Sequence, residues 1–177
     1  MGTDKAFIEV DGLTLWRRQL RILQRLEPVE LLLAGPQHTE WQNANCVIIP
    51  DAESDAGPLA GLVAALRCCS TPLLLTLAID LPNMTSNYLR DLVDLCASDI
   101  GVIPSDVDRI EPVAAVYPTR ALPIAESCLA SRNLSLQGFA ARCIAEGLAK
   151  LKPIASEERP LFLNMNTPED LLAMTNG

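Results

Sequence analysis

The sequence is poor in rings and poor in positive charge. Phe, Trp and Tyr make up 4% of its 177 residues, so a core must be built from the aliphatic side chains that dominate the 49% apolar content. Fourteen Lys and Arg stand against 22 Asp and Glu, a formal charge of −8. That balance excludes the broad basic footprint that nucleic-acid binding requires, so no nucleic-acid partner is expected. An anionic small ligand would have to be neutralised locally, by a lysine, by backbone N–H groups or by a divalent cation, and Mg²⁺ is the natural choice.

Other absences narrow the chemistry further. The lone histidine, His38, lies in the polar turn GPQHTEW with no Ser or Cys partner at a recognisable spacing, which argues against a triad hydrolase and makes it a surface residue. Neither G-x-x-x-x-G-K-[ST] nor G-x-G-x-x-G occurs, leaving a P-loop kinase or an ordinary dinucleotide oxidoreductase without support. The six cysteines, at 46, 68, 69, 96, 128 and 143, show no C-x-x-C spacing and sit in apolar runs, as buried free thiols do. LLLTLAI is too short to span a bilayer and no leader pattern opens the chain, so the expectation is a cytoplasmic protein with no membrane partner.

What is present is an alternation of apolar runs and helical patterns. LTLWRRQLRILQRLE places Leu13, Trp16, Leu20, Leu23 and Leu26 at three- and four-residue spacing, with arginines on the other face, and predicts an amphipathic helix. PVELLLAG and NCVIIPD predict short buried strands, and GPLAGLVAALRCC a helix with proline in its first turn. PLLLTLAIDLP, the most apolar stretch, predicts a central strand. TSNYLRDLVDLCA, TRALPIAESCLASRN and SLQGFAARCIAEG predict helices, DIGVIPSD and EPVAAVYP strands, and the tail reads as a strand PLFLNMN followed by a helix TPEDLLAMT. The alternation implies one α/β domain over residues 1–177, Rossmann-like, with a mostly parallel sheet covered by helices on both faces.

In open α/β sheets ligands gather beyond the carboxyl ends of strands. Asp80 ends the strongest strand, where a carboxylate either holds Mg²⁺ or caps a loop. DAGPLAGL, residues 55–62, combines small residues with a helix N-terminus; it admits a nucleotide against its backbone, or simply allows close helix–sheet packing. Lys5 of MGTDK is a candidate phosphate ligand oriented by Asp4, or ordinary solvated surface. Asn164 and Asn166 flank one residue, so that in a strand both would point to one side and bind a heterocycle; turn formation is their other role.

Taken in order, MGTDKA, DAGPLAGL, IDLP, EPVAAVYP and NMNTPEDL resemble the molybdenum cofactor guanylyltransferases, a branch of the nucleotidyltransferase superfamily. The resemblance implies a nucleotidyltransferase-type fold and Mg²⁺-assisted transfer of GMP from GTP to molybdopterin, with release of pyrophosphate. It implies that Lys5 and Asp80 are catalytic, Lys5 on phosphate and Asp80 on the metal. Asp55, Gly57, Pro58, Leu59, Ala60 and Gly61 would lie along the nucleotide, and Asn164 and Asn166 at the pterin side. GTP and molybdopterin are the implied substrates, with molybdoenzyme-assembly proteins as further partners. A cytidylyltransferase or sugar-phosphate nucleotidyltransferase of the same superfamily, or a non-catalytic nucleotide-binding relative, are the alternatives.

Members of that family begin with a strand and an L-A-G-G-x-S-x-R loop directly ahead of M-G-x-D-K, and neither is found here. The domain is therefore expected to be N-terminally incomplete: either upstream residues exist in the natural protein, or the sheet carries a gap or an altered strand order. Catalysis by residues 1–177 alone is in question on the same ground.

Overall fold

The computed structural model describes residues 5–36, 38–42, 44–53, 55–107 and 109–165. A short 3₁₀ helix, Lys5–Phe7, leads into a hairpin of β1, Glu9–Val10, and β2, Leu13–Thr14. Asp11 and Gly12 both take positive φ, 52° and 72°, the twist that two-residue hairpin turns demand. Helix α1, Leu15–Gln24, follows at once and buries Leu15, Trp16, Gln19 and Ile22. This face is rotated from the predicted stripe: Leu20 and Leu23 are only half-buried, and Leu13 belongs to β2.

Strands β3, Leu32–Ala34, and β4, Val47–Ile49, pair in parallel, with Leu33 opposite Ile48. Helix α2, Pro58–Cys68, buries almost every residue from Leu59 to Leu66, as its Ala- and Leu-rich sequence allows. β5, Leu73–Leu77, precedes α3, Ser86–Asp94, whose N-cap Thr85 accepts a hydrogen bond from the Tyr88 N–H. β6, Gly101–Asp106, turns back through the short β7, Arg109–Ile110, and the chain returns as β8, Ala114–Pro118. Helices α4, Leu122–Ala130, and α5, Leu136–Ala145, come next, the latter capped by Ser135 on the Gly138 N–H. β9, Ala149–Pro153, and a 3₁₀ segment, Ser156–Phe162, complete the described elements.

The sheet is mixed, which corrects the mostly parallel expectation. β8 lies antiparallel between β5 and β6, whereas β9 runs parallel to β6. The physical cause is the β6–β7 hairpin, which reverses the chain and feeds EPVAAVYP back into the middle. β5, expected at the centre, therefore stands at an edge of the five-stranded sheet among the described residues, and β3–β4 form a separate pair. PLFLNMN is not a strand: its first residues close the 3₁₀ segment, with Pro160 inside it, and residues 163–165 are irregular. β9 is a strand that went unread because AKLKP alternates lysines with single apolar residues, the pattern of an exposed edge.

Helices cover both faces. Leu73, Leu75 and Leu77 pack in a cluster with Ile22 and Leu23 of α1 and Leu89 and Leu92 of α3. Leu74 points to the opposite face, into the clusters formed by α2, α4 and α5 around Phe139 and Tyr117. Each fully buried large side chain there stabilises by about 1.5–3 kcal/mol through removal of apolar area from water. Gly101 lets β6 close on β8, since a Cβ there would stand 2.0 Å from the Val116 carbonyl oxygen. The cysteines are all free; Cys128 and Cys143 are buried as expected, but Cys68 is exposed. Among the described residues no helix is long and apolar enough to cross a membrane.

Candidate nucleotide site

Three chain segments meet at the carboxyl ends of β3 and β5. Ala6, next to Lys5, packs in one cluster with Trp16 and Trp41, against Leu33 of β3 and Ile79, the neighbour of Asp80. This brings the Lys5–Ala6 step and the IDLP segment to the same end of the fold. Asp80 is half-buried in the turn that leaves β5, and its carbonyl oxygen accepts a 2.8 Å hydrogen bond from the Met165 N–H. Met165, and with it Asn164, thereby reaches the acid that follows β5 too. Asn164 is exposed beside fully buried Met165, while Asn166 lies outside the described residues, as do Asp4, Thr167 and Pro168. The strand geometry that would have aimed both asparagines one way is absent at Asn164.

The GPLAG segment divides by role. Gly57 adopts φ 61° and ψ −157°, a region open essentially to glycine, and Pro58 starts α2. Leu59 and Ala60 are fully buried core residues, so their side chains face no ligand, and the Ala60 N–H is bonded to the Gly57 carbonyl. Gly61 packs where a Cβ would come within 3.2 Å of an Asp51 carboxylate oxygen and 3.3 Å of the Ala34 Cβ, so its smallness serves close helix–sheet contact. Asp55 is exposed at positive φ, 57°, in the loop before the helix. What this segment offers a ligand is the backbone at Gly57 and the positive end of α2.

Two acids went unread in the sequence. Asp51 follows β4 and lines the same cavity as Gly57, Pro58 and Ile79; partial desolvation holds its carboxyl above the usual range. The signal was present, since NCVIIPD ends a strand in an acid just as LAIDLP does. Glu111 is buried, and burial pushes its carboxyl up; Arg109 at 3.2 Å pulls it back, and the charges of Asp106 and Asp80 push it up again. Nothing in EPVAAVYP marks that glutamate, because the β7 hairpin alone brings it within the field of Asp80. His38 is not simple surface: it is half-buried, edge-on to Phe7 at 4.8 Å and to Trp41 at 4.5 Å.

No group of three or more His, Cys, Asp or Glu among the described residues forms a metal cage. A strand-end carboxylate such as Asp80 fits a different mode, in which Mg²⁺ takes one or two protein carboxylates and draws its remaining ligands from phosphates and water.

The MobA-like NTP transferase domain model matches residues 1–147. The chain belongs to that family. This MobA-like transferase is 34% identical over 175 residues to a probable molybdenum cofactor guanylyltransferase of Opitutus terrae, a match spanning 96% of this chain and 86% of that protein. A molybdenum cofactor guanylyltransferase of Pseudomonas putida is 29% identical, over 95% of this chain and 86% of the other. The crystal structure of the molybdopterin-guanine dinucleotide biosynthesis protein A of Archaeoglobus fulgidus superposes with a TM-score of 0.74 at 22% identity, covering 97% of this chain and 89% of that one. The MobA-like family thus comprises the nucleotidyltransferases whose motifs were read from the sequence, and the superposition places this transferase in their α/β fold with its mixed sheet.

Proposed function

We propose that the protein transfers GMP from GTP to the terminal phosphate of a molybdopterin-type cofactor. The observation that carries this reading is the match, along nearly its whole length, to guanylyltransferases of that cofactor. A terminal phosphate oxygen of the acceptor attacks the α-phosphorus of GTP; the bond from that phosphorus to the bridging oxygen breaks, and pyrophosphate leaves with the electron pair. Such transfer depends mainly on positioning and charge neutralisation. Lys5 is the proposed cation on the phosphates, Asp80 the carboxylate that holds Mg²⁺, and the Gly57 backbone with the α2 N-terminus the cradle alongside the nucleotide. Asp51, which lines a cavity with Gly57 and Pro58, is added as a polar contact for the nucleoside. Asn164, joined to Asp80 through Met165, supports acceptor binding on that side. Free thiols throughout favour a reducing, cytoplasmic setting.

Pyrophosphate release measured with molybdopterin and either GTP or CTP tests the assignment. Strong preference for GTP is expected, and equal use of CTP would replace the guanylyl reading with a cytidylyl one.

A further inference from the structure

A chain with 22 acidic residues and 14 basic ones offers its cations partners in excess, and most of them take one. Arg67 lies 2.8 Å from Glu126 and Arg159 lies 2.9 Å from Asp106; every arginine outside α1 and α3 stands within 3.9 Å of a carboxylate. Arg17, Arg21 and Arg25, along and just past α1, and Arg90 of α3 differ. All four are exposed, and among the described residues none forms an ion pair. The unmatched positive charge of the protein is gathered in one place.

Arg17, Arg21 and Arg25 recur every four residues. Successive members therefore stand about 6 Å apart along the helix axis and fall within an arc of about 80°, turned away from the buried face of Leu15, Trp16, Gln19 and Ile22. Arg90 joins the stripe at its far end, where its Nη2 donates to the Arg25 carbonyl oxygen at 2.8 Å. The result is a line of guanidinium groups about 12 Å long. Like charges one turn apart destabilise a helix, so the fold gains nothing from this repetition. Two of the four are also held in place: Arg90 by that hydrogen bond, and Arg17 by its seat over the Trp16 ring, 5.1 Å from the centroid. Side chains fixed beforehand lose less freedom on pairing.

The surroundings limit what can lie there. Asp91 and Asp94 are exposed on α3 beside Arg90, Glu27 is exposed just beyond Arg25, and Asp11 flanks the start of the stripe, 3.6 Å from Arg18. A bilayer or a nucleic-acid duplex is wider than the stripe and would set its phosphates against these carboxylates within a Debye length of about 8–10 Å. A narrow anionic rod meets only the arginines. A helix with Glu or Asp one turn apart repeats its charge at the same spacing of about 6 Å, and each carboxylate can accept both arms of a guanidinium fork.

We propose that the stripe of Arg17, Arg21, Arg25 and Arg90 docks an acidic helical segment of a partner protein. The proposal rests on surface charge and stands apart from the transferase reading.

The test uses the full chain and a fluorescent 20-residue alanine-based helix with Glu at every fourth position, titrated by anisotropy at low ionic strength. Control peptides carry Gln in place of Glu, or the same number of Glu scattered round the helix. Saturable binding of the first peptide is expected, weakening as salt is added, with weaker binding of the scattered peptide and none of the neutral one. Arg17→Gln, Arg21→Gln and Arg25→Gln together should lower affinity about tenfold, whereas Arg67→Gln with Arg132→Gln, which removes the same kind of charge elsewhere, should leave it unchanged. Arg21→Glu, a change at a single exposed position, supplies the same comparison if the triple variant folds poorly. No saturable binding, equal binding of the scattered or neutral peptide, equal loss in the Arg67 and Arg132 variant, or tighter binding to phosphatidylserine vesicles or duplex DNA than to the peptide would each overturn the proposal. No readout is turnover, so these outcomes are separate from failure of the transferase reading.

Discussion

The Met165 N–H donates to the Asp80 carbonyl oxygen at 2.8 Å, tying the segment after the last 3₁₀ helix to the turn that carries the strand-end acid. The link uses the backbone of Asp80 and not its carboxylate, the group proposed to hold Mg²⁺. Asp80→Ala should therefore leave the thermal midpoint unchanged while lowering Mg²⁺-dependent pyrophosphate release by about 10²–10³-fold, the loss typical of removing one electrostatic stabiliser. Unchanged turnover would remove Asp80 from the mechanism.

Lys5 is the neighbour of Ala6, whose packing with Leu33 and Ile79 fixes it near the carboxyl ends of β3 and β5. A charge-assisted phosphate contact contributes about 1.5–3 kcal/mol. Lys5→Ala should weaken GTP binding by roughly 10- to 150-fold in a calorimetric titration, and Lys5→Arg should restore part of it. Wild-type affinity in the alanine variant would show that Lys5 is only surface.

Local signals carried the sequence reading furthest where side-chain chemistry acts over a few residues. The caps at Thr85 and Ser135 and the proline opening α2 were all legible because each depends on its immediate neighbours, whereas the strand read through to Asp80 stops at Leu77 and leaves the acid in the turn. Strand order was not, since the reversal at β6–β7 that inserts β8 is a long-range outcome of a short hairpin. LLLTL looked central because its composition is that of a strand buried on both faces, and the half-exposure of β5 arises from its bare edge, which composition does not encode. Glu111 was hidden for a related reason: it enters the field of Asp80 only after that hairpin folds. Leu59 and Ala60 show the converse: a motif read whole, two of whose members are fully buried core residues.

Two glycines separate packing from backbone strain. At Gly101 an alanine Cβ would meet the Val116 carbonyl, rigid backbone that cannot yield, so Gly101→Ala should lower unfolding free energy by about 3 kcal/mol or more in urea titrations. At Gly57 no atom lies within 4 Å of the added Cβ, and the cost of Gly57→Ala is the strained φ alone, about 1–3 kcal/mol. Only the Gly57 variant should also weaken GTP binding, since it re-aims the backbone leading into α2. A similar loss of affinity in both would show that the effect is general destabilisation.

The last prediction concerns Glu111 and the direction of its titration. Burial, and the charges of Asp106 and Asp80, outweigh the pull of Arg109 and hold its carboxyl above the ordinary value of 4.5. The folded protein then keeps a proton at Glu111 over a pH interval in which the unfolded chain has released it. The stabilisation is fully present below 4.5 and is lost as pH rises through the folded value. Glu111→Gln removes that dependence, because the amide stays neutral at every pH. Urea unfolding of the two proteins at a series of pH values should give curves that draw together in acid and separate toward neutrality, with the glutamine variant the more stable there. Parallel curves would mean that the buried carboxyl gains enough from Arg109 to ionise without cost, and that Asp80 does not act on it across the turn.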